Sequence, residues 1–400
     1  MFTTAKIDTG ALKEEFRKEL VSNILPYWTS RMVDEENGGF YGRRDAYDRL
    51  EPKADKGITL NTRILWTFSH AALALDEPYY RRIADRAYHF IIRHFLDPKF
   101  LGVYWTVDFQ GRPVDSKKQV FAQAFAIYTF VEYFKATGKK ESLEHAIDIF
   151  RLIEKYGFDA DNNGYFEAFN QEWKLWDDPR QTDKNVNETK TMHTHLHMLE
   201  AYTNLYSVWK DGQLGKQLRN LLMVFLGKMI NETNHFNLFF DKAWKVKSHT
   251  TSYGHDMQGS WVLFQAAKVG SDRRLLEKVK PLCLSLVEQV FKQGFDDDGA
   301  LMYGANESGL SEADKHWWPQ AEALVGLVNA WQLSADDKYL EAAVRTWRFI
   351  QSNLIDKEYG EWHGRVDGRG VIDRNEDKAG PSKCPLHNGR AMLELIRRLP

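Results

Sequence analysis

Short segments rich in glycine and aromatic residues alternate along the chain with long stretches whose apolar residues recur at spacings of three and four. The segments read ENGGFYGRRD near Gly38, LGVYWTVDFQG near Gly102, NNGYFEAFNQEW near Gly164, FNLFFDKAW near Leu238, DDGALMYG near Gly299 and YGEWHGRVDGRG near Gly360, with anchors 61 to 74 residues apart. Turn residues followed by an aromatic alternation predict a short hairpin in each. The stretches that follow predict helices: TRILWTFSHAALAL from Thr62, QAFAIYTFVEYFKATG from Gln123, THLHMLEAYTNLYSVW from Thr194, GSWVLFQAAKVG from Gly259 and QAEALVGLVNAWQL from Gln320. After a polar or glycine turn a second helix returns, as in SLEHAIDIFRLIEKYG and KYLEAAVRTWRFIQSNL, with one charged face suited to solvent. A unit of helix, turn, helix and hairpin repeated six times, with no linker between copies, predicts a ring. The expected fold is therefore all-α, one (α/α)6 barrel over residues 1–400, with its hairpins at one mouth. Inner-helix N-termini should ring that mouth and carry the function, since helix starts and the loops before them gather polar groups and partial positive charge.

Composition narrows the partners. Apolar residues at 43% and charged residues at 28% are ordinary globular values, which excludes disordered and fibrous classes. With 54 Lys and Arg against 56 Asp and Glu and no basic block, the footprint that a phosphate backbone requires is missing. Nucleic acid is not an expected partner. The two cysteines, Cys283 and Cys384, fit neither a disulfide framework nor a zinc knuckle, and a reducing cytoplasm is expected. The opening MFTTAKIDTG lacks a basic segment followed by an apolar run, and LLMVFL at 221–226 is too short to span a bilayer, so neither export nor a membrane is expected. Aromatic content is high, at 14%, which a large helical core or a sugar-stacking cleft would each explain.

Reading one phase of each repeat collects Arg63, Phe121 with Gln123, His193 with His197, His255 with Gln258, Trp318 with Glu322, and His387. Several histidines at one mouth suggest proton transfer, because imidazole titrates near neutrality. His193, His195 and His197 in HTHLH also admit a metal reading, two of them being four residues apart as in zinc helices. No HExxH glutamate lies between them and no cysteine is near, so no metal is expected. A glycosidase would need two carboxylates at this phase, and only Glu322 qualifies. The acidic runs DDP at 177–179 and DDDG at 296–299 read as solvated turns.

Five blocks, LNTRILWTF (60–68), KTMHTHLHMLEAYTNLY (190–206), SYGHDMQGSW (252–261), WWPQAEALVG (317–326) and KCPLHNGR (383–390), resemble consecutive blocks of the N-acylglucosamine 2-epimerase superfamily, in its cellobiose 2-epimerase branch. The resemblance runs from NGGFYG at 37–42 to HNGR at 387–390. It implies an (α/α)6 barrel and cofactor-free epimerisation at C2 of a reducing-end glucose or mannose unit, through a cis-enediolate. On this resemblance His387 and His255 are the two proton-transfer groups on opposite faces of C2, and His197 and Arg63 hold the enediolate oxygens. Trp318 stacks on the sugar and Glu322 accepts hydrogen bonds from its hydroxyls.

Four positions depart from the branch pattern. His193 stands where asparagine is usual, Gln258 in place of a glutamate one turn after the histidine, Ser382 in place of a tryptophan, and Phe121 in place of tyrosine. Losing the glutamate should weaken His255 as a base, with Asp256, Glu322 or His193 as compensating candidates. An aldose–ketose isomerase, a mannose/glucose 2-epimerase, a noncatalytic sugar binder and a hydrolase on the same ring remain alternatives, and the chain is expected as a monomer or homodimer.

Overall fold

A computed structural model describes residues 7–176, 188–270, 272–306 and 308–400. The acidic run at 177–179 lies outside the described residues. In chain order the helices are α1 (Thr9–Glu19), α2 (Leu25–Arg31), α3 (Ile58–Leu75), α4 (Pro78–His94), α5 (Val120–Thr137), α6 (Lys140–Leu152), α7 (Met192–Val208), α8 (Gly212–Val224), α9 (Tyr253–Val269), α10 (Arg273–Gln293), α11 (Trp317–Ser334), α12 (Asp337–Phe349) and α13 (Leu386–Arg398). α3, α5, α7, α9, α11 and α13 pack in that succession, and α13 returns to α3. They form the inner ring. Outside it, α4, α6, α8, α10 and α12 each pack on the inner helix that precedes them, and α1 packs on α13. This is the expected (α/α)6 barrel.

Sequence decides which helix goes where. The first twelve residues of α3, Ile58 to Ser69, are all buried, as a helix enclosed by neighbours on every side requires. The outer α4, α6 and α12 bury a single stripe and present charged residues elsewhere. Aspartates cap four of the outer helices, α1, α8, α10 and α12, as where Asp211 accepts from the amides of Gln213 and Leu214 at the start of α8. Inner helices are held instead by hairpin backbone: the amides of Ile58, Val120, Met192 and Trp317 donate to the carbonyls of Trp105, Glu167, Leu238 and Gly364.

Those contacts belong to a belt of short antiparallel pairs around the mouth. Lys56–Gly57 pairs with Thr106–Val107, Lys118–Gln119 with Ala168–Phe169, Lys190–Thr191 with Phe239–Phe240, Thr250–Ser252 with Gly304–Asn306, and Lys315–His316 with Arg365–Val366. A bridge between Arg44 and Ala379 links the last repeat to the first.

Two sequence expectations need correction. The inner helices begin earlier than their apolar periodicity indicates, at Ile58, Val120, Met192, Tyr253 and Trp317, because hairpin carbonyls rather than side-chain caps start most of them. Most residues of the functional phase therefore sit inside the first two helical turns. The fourth repeat also registers at Asn234–Phe236, not Leu238: Phe236 makes the bridge that Phe40, Val103, Tyr165, Leu301 and Trp362 make in the other repeats. Asn234, at φ 59°, takes the left-handed turn position two residues before the bridge that Gly38, Gly299 and Gly360 fill in three other repeats, which hid the match.

A lysine–aspartate pair ties the segment before an inner helix to a hairpin turn in five repeats, buried in four of them and exposed on its aspartate side at Lys315–Asp296. The pairs are Lys56–Asp34 at 2.7 Å, Lys118–Asp97 at 2.9 Å, Lys190–Asp159 at 2.9 Å, Lys315–Asp296 at 2.7 Å, and Lys378–Asp356. In the fourth repeat both partners are neutral, Thr251 and Asn231, so neither charge is left buried alone. Asp296 and Asp298 of the DDDG run both bond Lys315, which makes that run a structural clamp.

Candidate active site

The ring of inner helices brings one side chain after another to the same level, and the contacts close into a circuit. The Arg63 guanidinium on α3 lies over the rings of Phe121 (5.7 Å) and Phe125 (4.8 Å) on α5. Phe121 meets His193 and His197 on α7, with centroids 4.5 and 5.0 Å away. His193 meets His255 on α9 at 5.8 Å, and His255 meets Trp318 on α11 at 4.7 Å. Trp318 meets His387 on α13 at 5.7 Å, and Arg63 Nη1 reaches Cys384 Sγ, just before α13, at 3.6 Å. All six inner helices contribute. Trp318 approaches α9 closely because residue 254 is glycine: a Cβ there would lie 2.7 Å from the indole ring.

Beneath this circuit runs a buried charge network that sequence reading missed. Arg390 donates from Nη1 to Glu200 Oε1 (2.6 Å) and from Nη2 to Glu322 Oε1 (2.7 Å). Glu200 Oε2 takes His197 Nδ1 at 2.5 Å, and Glu322 Oε1 takes His387 Nδ1 at 2.7 Å. One arginine thus links two carboxylates, each fixing one histidine. Burial alone would lift both carboxyl groups, but Arg390 and the histidines outweigh it, holding Glu200 at about 2 and Glu322 below its ordinary value. Ionised carboxylates can only accept, so Nδ1–H of His387 and of His197 donates and each Nε2 is left free. Arg390 stands in the HNGR block and Glu200 in the HTHLH helix, so spacing could have found both: each faces the ring axis one helical turn beyond its histidine.

Burial drives the histidines toward the neutral form. It brings His387 down to about 4 against the opposing pull of Glu322, and His255 down to about 3. His193 is lowered well below its ordinary value, by burial first and then by its imidazole neighbours, and His197 is lowered despite Glu200.

Other sequence-selected residues have partners that spacing did not indicate. Gln258 does not touch His255; its amide donates to Glu200 Oε1 at 3.3 Å, while His255 Nδ1 meets Ser252 Oγ at 2.8 Å. Asp256 faces away, accepting from His235 and from the Phe236 amide, which leaves Glu322 as the candidate whose charge supports a His255 cation. Both Glu322 oxygens accept from protein donors, Oε1 from His387 and Arg390 and Oε2 from Trp261 Nε1 at 3.0 Å, partners that the sequence did not indicate. Ser382 is exposed in the bend before Lys383. Gln123 and His195 hold hairpins: Gln123 bonds both backbone groups of Val103, and His195 Nε2 accepts from the Tyr165 amide. That removes His195 from the metal reading. Among the described residues the one cluster with metal-ligand spacing is Glu312, Asp314 and His316 in a hairpin, where Arg365 already pairs with both carboxylates.

A family model for N-acylglucosamine 2-epimerase matches residues 39–384. The chain is 45% identical over 387 residues to a cellobiose 2-epimerase of Bacteroides fragilis, covering 96% of this chain and 98% of that one. The structure of cellobiose 2-epimerase from Bacillus thermoamylovorans superposes with a TM-score of 0.93 at 37% identity, covering 98% of this chain and all of the other. A D-mannose isomerase structure shares the fold, with a TM-score of 0.86 at 18% identity, covering 99% of this chain and all of the other.

Proposed function

The chain belongs to the N-acylglucosamine 2-epimerase family, and from that premise we propose that it interconverts the glucose and mannose configurations at C2 of a reducing-end sugar, a cellobiose-type disaccharide being its substrate. The observation that carries this reading is the pair of imidazoles, half-buried His255 and buried His387, on either side of Trp318, with Arg63 and His197 completing the circuit.

In the proposed reaction the neutral imidazole on one face takes the C2 proton of the open-chain aldose. The C2–H electron pair becomes the C1=C2 bond, and the carbonyl pair moves to O1, giving the cis-enediolate. Arg63 stabilises that developing charge, since a fixed cation in a water-poor site acts where the charge appears without reorganising. His197, oriented by Glu200, presents Nε2 to a substrate hydroxyl. The imidazolium on the other face returns a proton to C2, and the C=O bond reforms. The two faces are exchanged in the reverse direction. His193 and Phe121 shape the wall beside O1 and O2, and Trp318 stacks on the sugar ring. The residues named suffice for every proton transfer, so no metal or cofactor enters the proposal.

A hydrolase is disfavoured because Glu200 and Glu322 are both held below their ordinary values, whereas a glycosidase acid must keep its proton. We also place the protein in the cytoplasm, working as one catalytic domain. Two buried free cysteines support that placement, and no described helix is long and apolar enough to cross a membrane. Incubation with cellobiose in heavy water tests the reading: the mannose-configured epimer should appear with solvent deuterium at C2. Deuterium at C1 of a ketose would instead show an aldose–ketose isomerase, and label-free substrate a binding protein.

A further inference from the structure

On the far side of the Glu200–Arg390–Glu322 layer, one to two turns further along the same inner helices, lies a cavity of about 200 Å³. Trp66, Tyr128 and Trp261 supply aromatic wall, Thr203 and Asn204 supply polar wall, and exposed Ser207 stands at its rim. Its floor includes Glu200, the carboxylate that fixes His197.

The charges around this cavity are matched within the protein. Glu132 takes His70 Nδ1 at 2.7 Å and Asn204 Nδ2 at 3.1 Å, and Glu394 takes Arg397 and Arg398 at 2.6 and 2.8 Å. Glu200 is bonded to Arg390 and His197. The unmet hydrogen-bonding capacity is neutral: Trp66 Nε1 and Thr203 Oγ1 are buried without a partner, in residues 3% and 7% exposed. Unpartnered buried polar atoms are uncommon and call for a ligand or ordered water. An anion would face three carboxylates and a cation would face Lys135 and Arg397, whereas a neutral molecule rich in oxygen acceptors meets no opposing charge. Trp66 already stacks on His70 and Tyr128, and Arg390 lies over Trp261, so what the aromatic wall offers an occupant is the unmet indole N–H beside the Thr203 hydroxyl, which suits a compact ring bearing hydroxyl groups. The volume fits one such ring, since an apolar cavity of about 150 Å³ admits benzene.

We propose that this cavity is a second carbohydrate site, taking a single free hexopyranose, and that its occupancy is transmitted to His197 through Glu200. This site is separate from the epimerisation centre, and no residue named for the reaction other than Glu200 borders it.

Calorimetric titration of the full chain with D-glucose, together with Ser207→Trp and Thr203→Val, tests the assignment. Ser207→Trp fills the rim with an indole on an exposed position, and it should bind one hexose equivalent fewer than the unaltered protein. Thr203→Val keeps the shape and removes the hydroxyl, so the same equivalent should weaken about three- to tenfold, the loss expected for one neutral hydrogen bond. With saturating cellobiose, glucose should change kcat of the unaltered protein and leave that of Ser207→Trp constant. Equal stoichiometry in all three proteins would overturn the site, as would binding of glycerol but not glucose there. The stoichiometry does not depend on turnover, so it separates this assignment from the proposed reaction.

Discussion

The walls carrying His387 and His255 hold their imidazoles by different means. On the α11–α13 side His387 is fixed by an ionised carboxylate, which is fixed by Arg390, which reaches across the ring to Glu200 and His197. On the α9 side His255 leans on a single hydroxyl, Ser252, and on the Trp318 ring. A carboxylate-backed imidazole accommodates an imidazolium; a hydroxyl-backed one favours the neutral base. The site is therefore asymmetric although its reaction is nearly symmetric, and of the two imidazoles His387 is the better supported when it takes up a proton during the reaction.

Removing either imidazole should have the largest effect, because each face of C2 needs its own proton-transfer group. His387→Ala and His255→Ala are each expected to lower kcat by about 10²–10⁴, the usual contribution of a general acid or base. Deuterium exchange at C2 should persist in at most one of them, and near-normal turnover in either would remove it from the pair. Next in size, Glu322→Gln withdraws the charge behind His387 and leaves Arg390 with one carboxylate. It should cost about 3–5 kcal/mol in urea unfolding, as breaking a buried ion pair does, together with a large part of kcat. Ser252→Ala, the matching change on the other wall, removes one neutral hydrogen bond and should slow turnover only about two- to tenfold with unaltered stability. Equal effects of these two substitutions would erase the asymmetry.

Acid should destabilise the fold through the inner-helix imidazoles. His195 and His387 are held at about 4 and His255 at about 3, so below pH 6.5 the unfolded chain takes up protons that the folded one refuses. Stability should fall by up to about 1.4 kcal/mol per pH unit for each such group, down to its folded value. Unfolding midpoints that stay level between pH 7 and 5 would contradict this. The smallest effect is expected from Gln258→Glu. Because residue 258 touches Glu200 rather than His255, a new carboxylate there should raise the pKa of one of the two acids by like-charge repulsion. Turnover should drop a few-fold through His197, and a pH profile that shifts as though His255 had gained a partner would contradict the geometry.

The barrel was legible in the sequence because its period is long and each helix is long enough to show its apolar spacing. The circuit of Arg63, Phe121, His193, His197, His255, Trp318 and His387 follows from one phase of that repeat. Partnerships were not legible. Whether Gln258 faces His255 or Glu200 depends on which way a side chain leans within a helical turn, and whether Glu322 meets His387 depends on a neighbour 65 positions away in the chain. Gln123 and His195 occupy promising positions yet serve hairpins, since residues four into an inner helix face the preceding loop. In the fourth repeat, replacement of the turn glycine by Asn234 and of the lysine–aspartate pair by Thr251 and Asn231 displaced the register inferred from composition.

Closure of the ring between α13 and α3 has a kinetic consequence. Arg63 and Cys384 meet although 321 positions separate them, so the circuit is completed only when the first and sixth repeats find each other. Local helix pairs can form within microseconds, but joining the ends of so long a chain segment carries a loop entropy that local contacts cannot offset until the rest of the ring is in place. In a refolding experiment helical signal should return early and epimerase activity late, in the same phase as the seam between the first and last repeats.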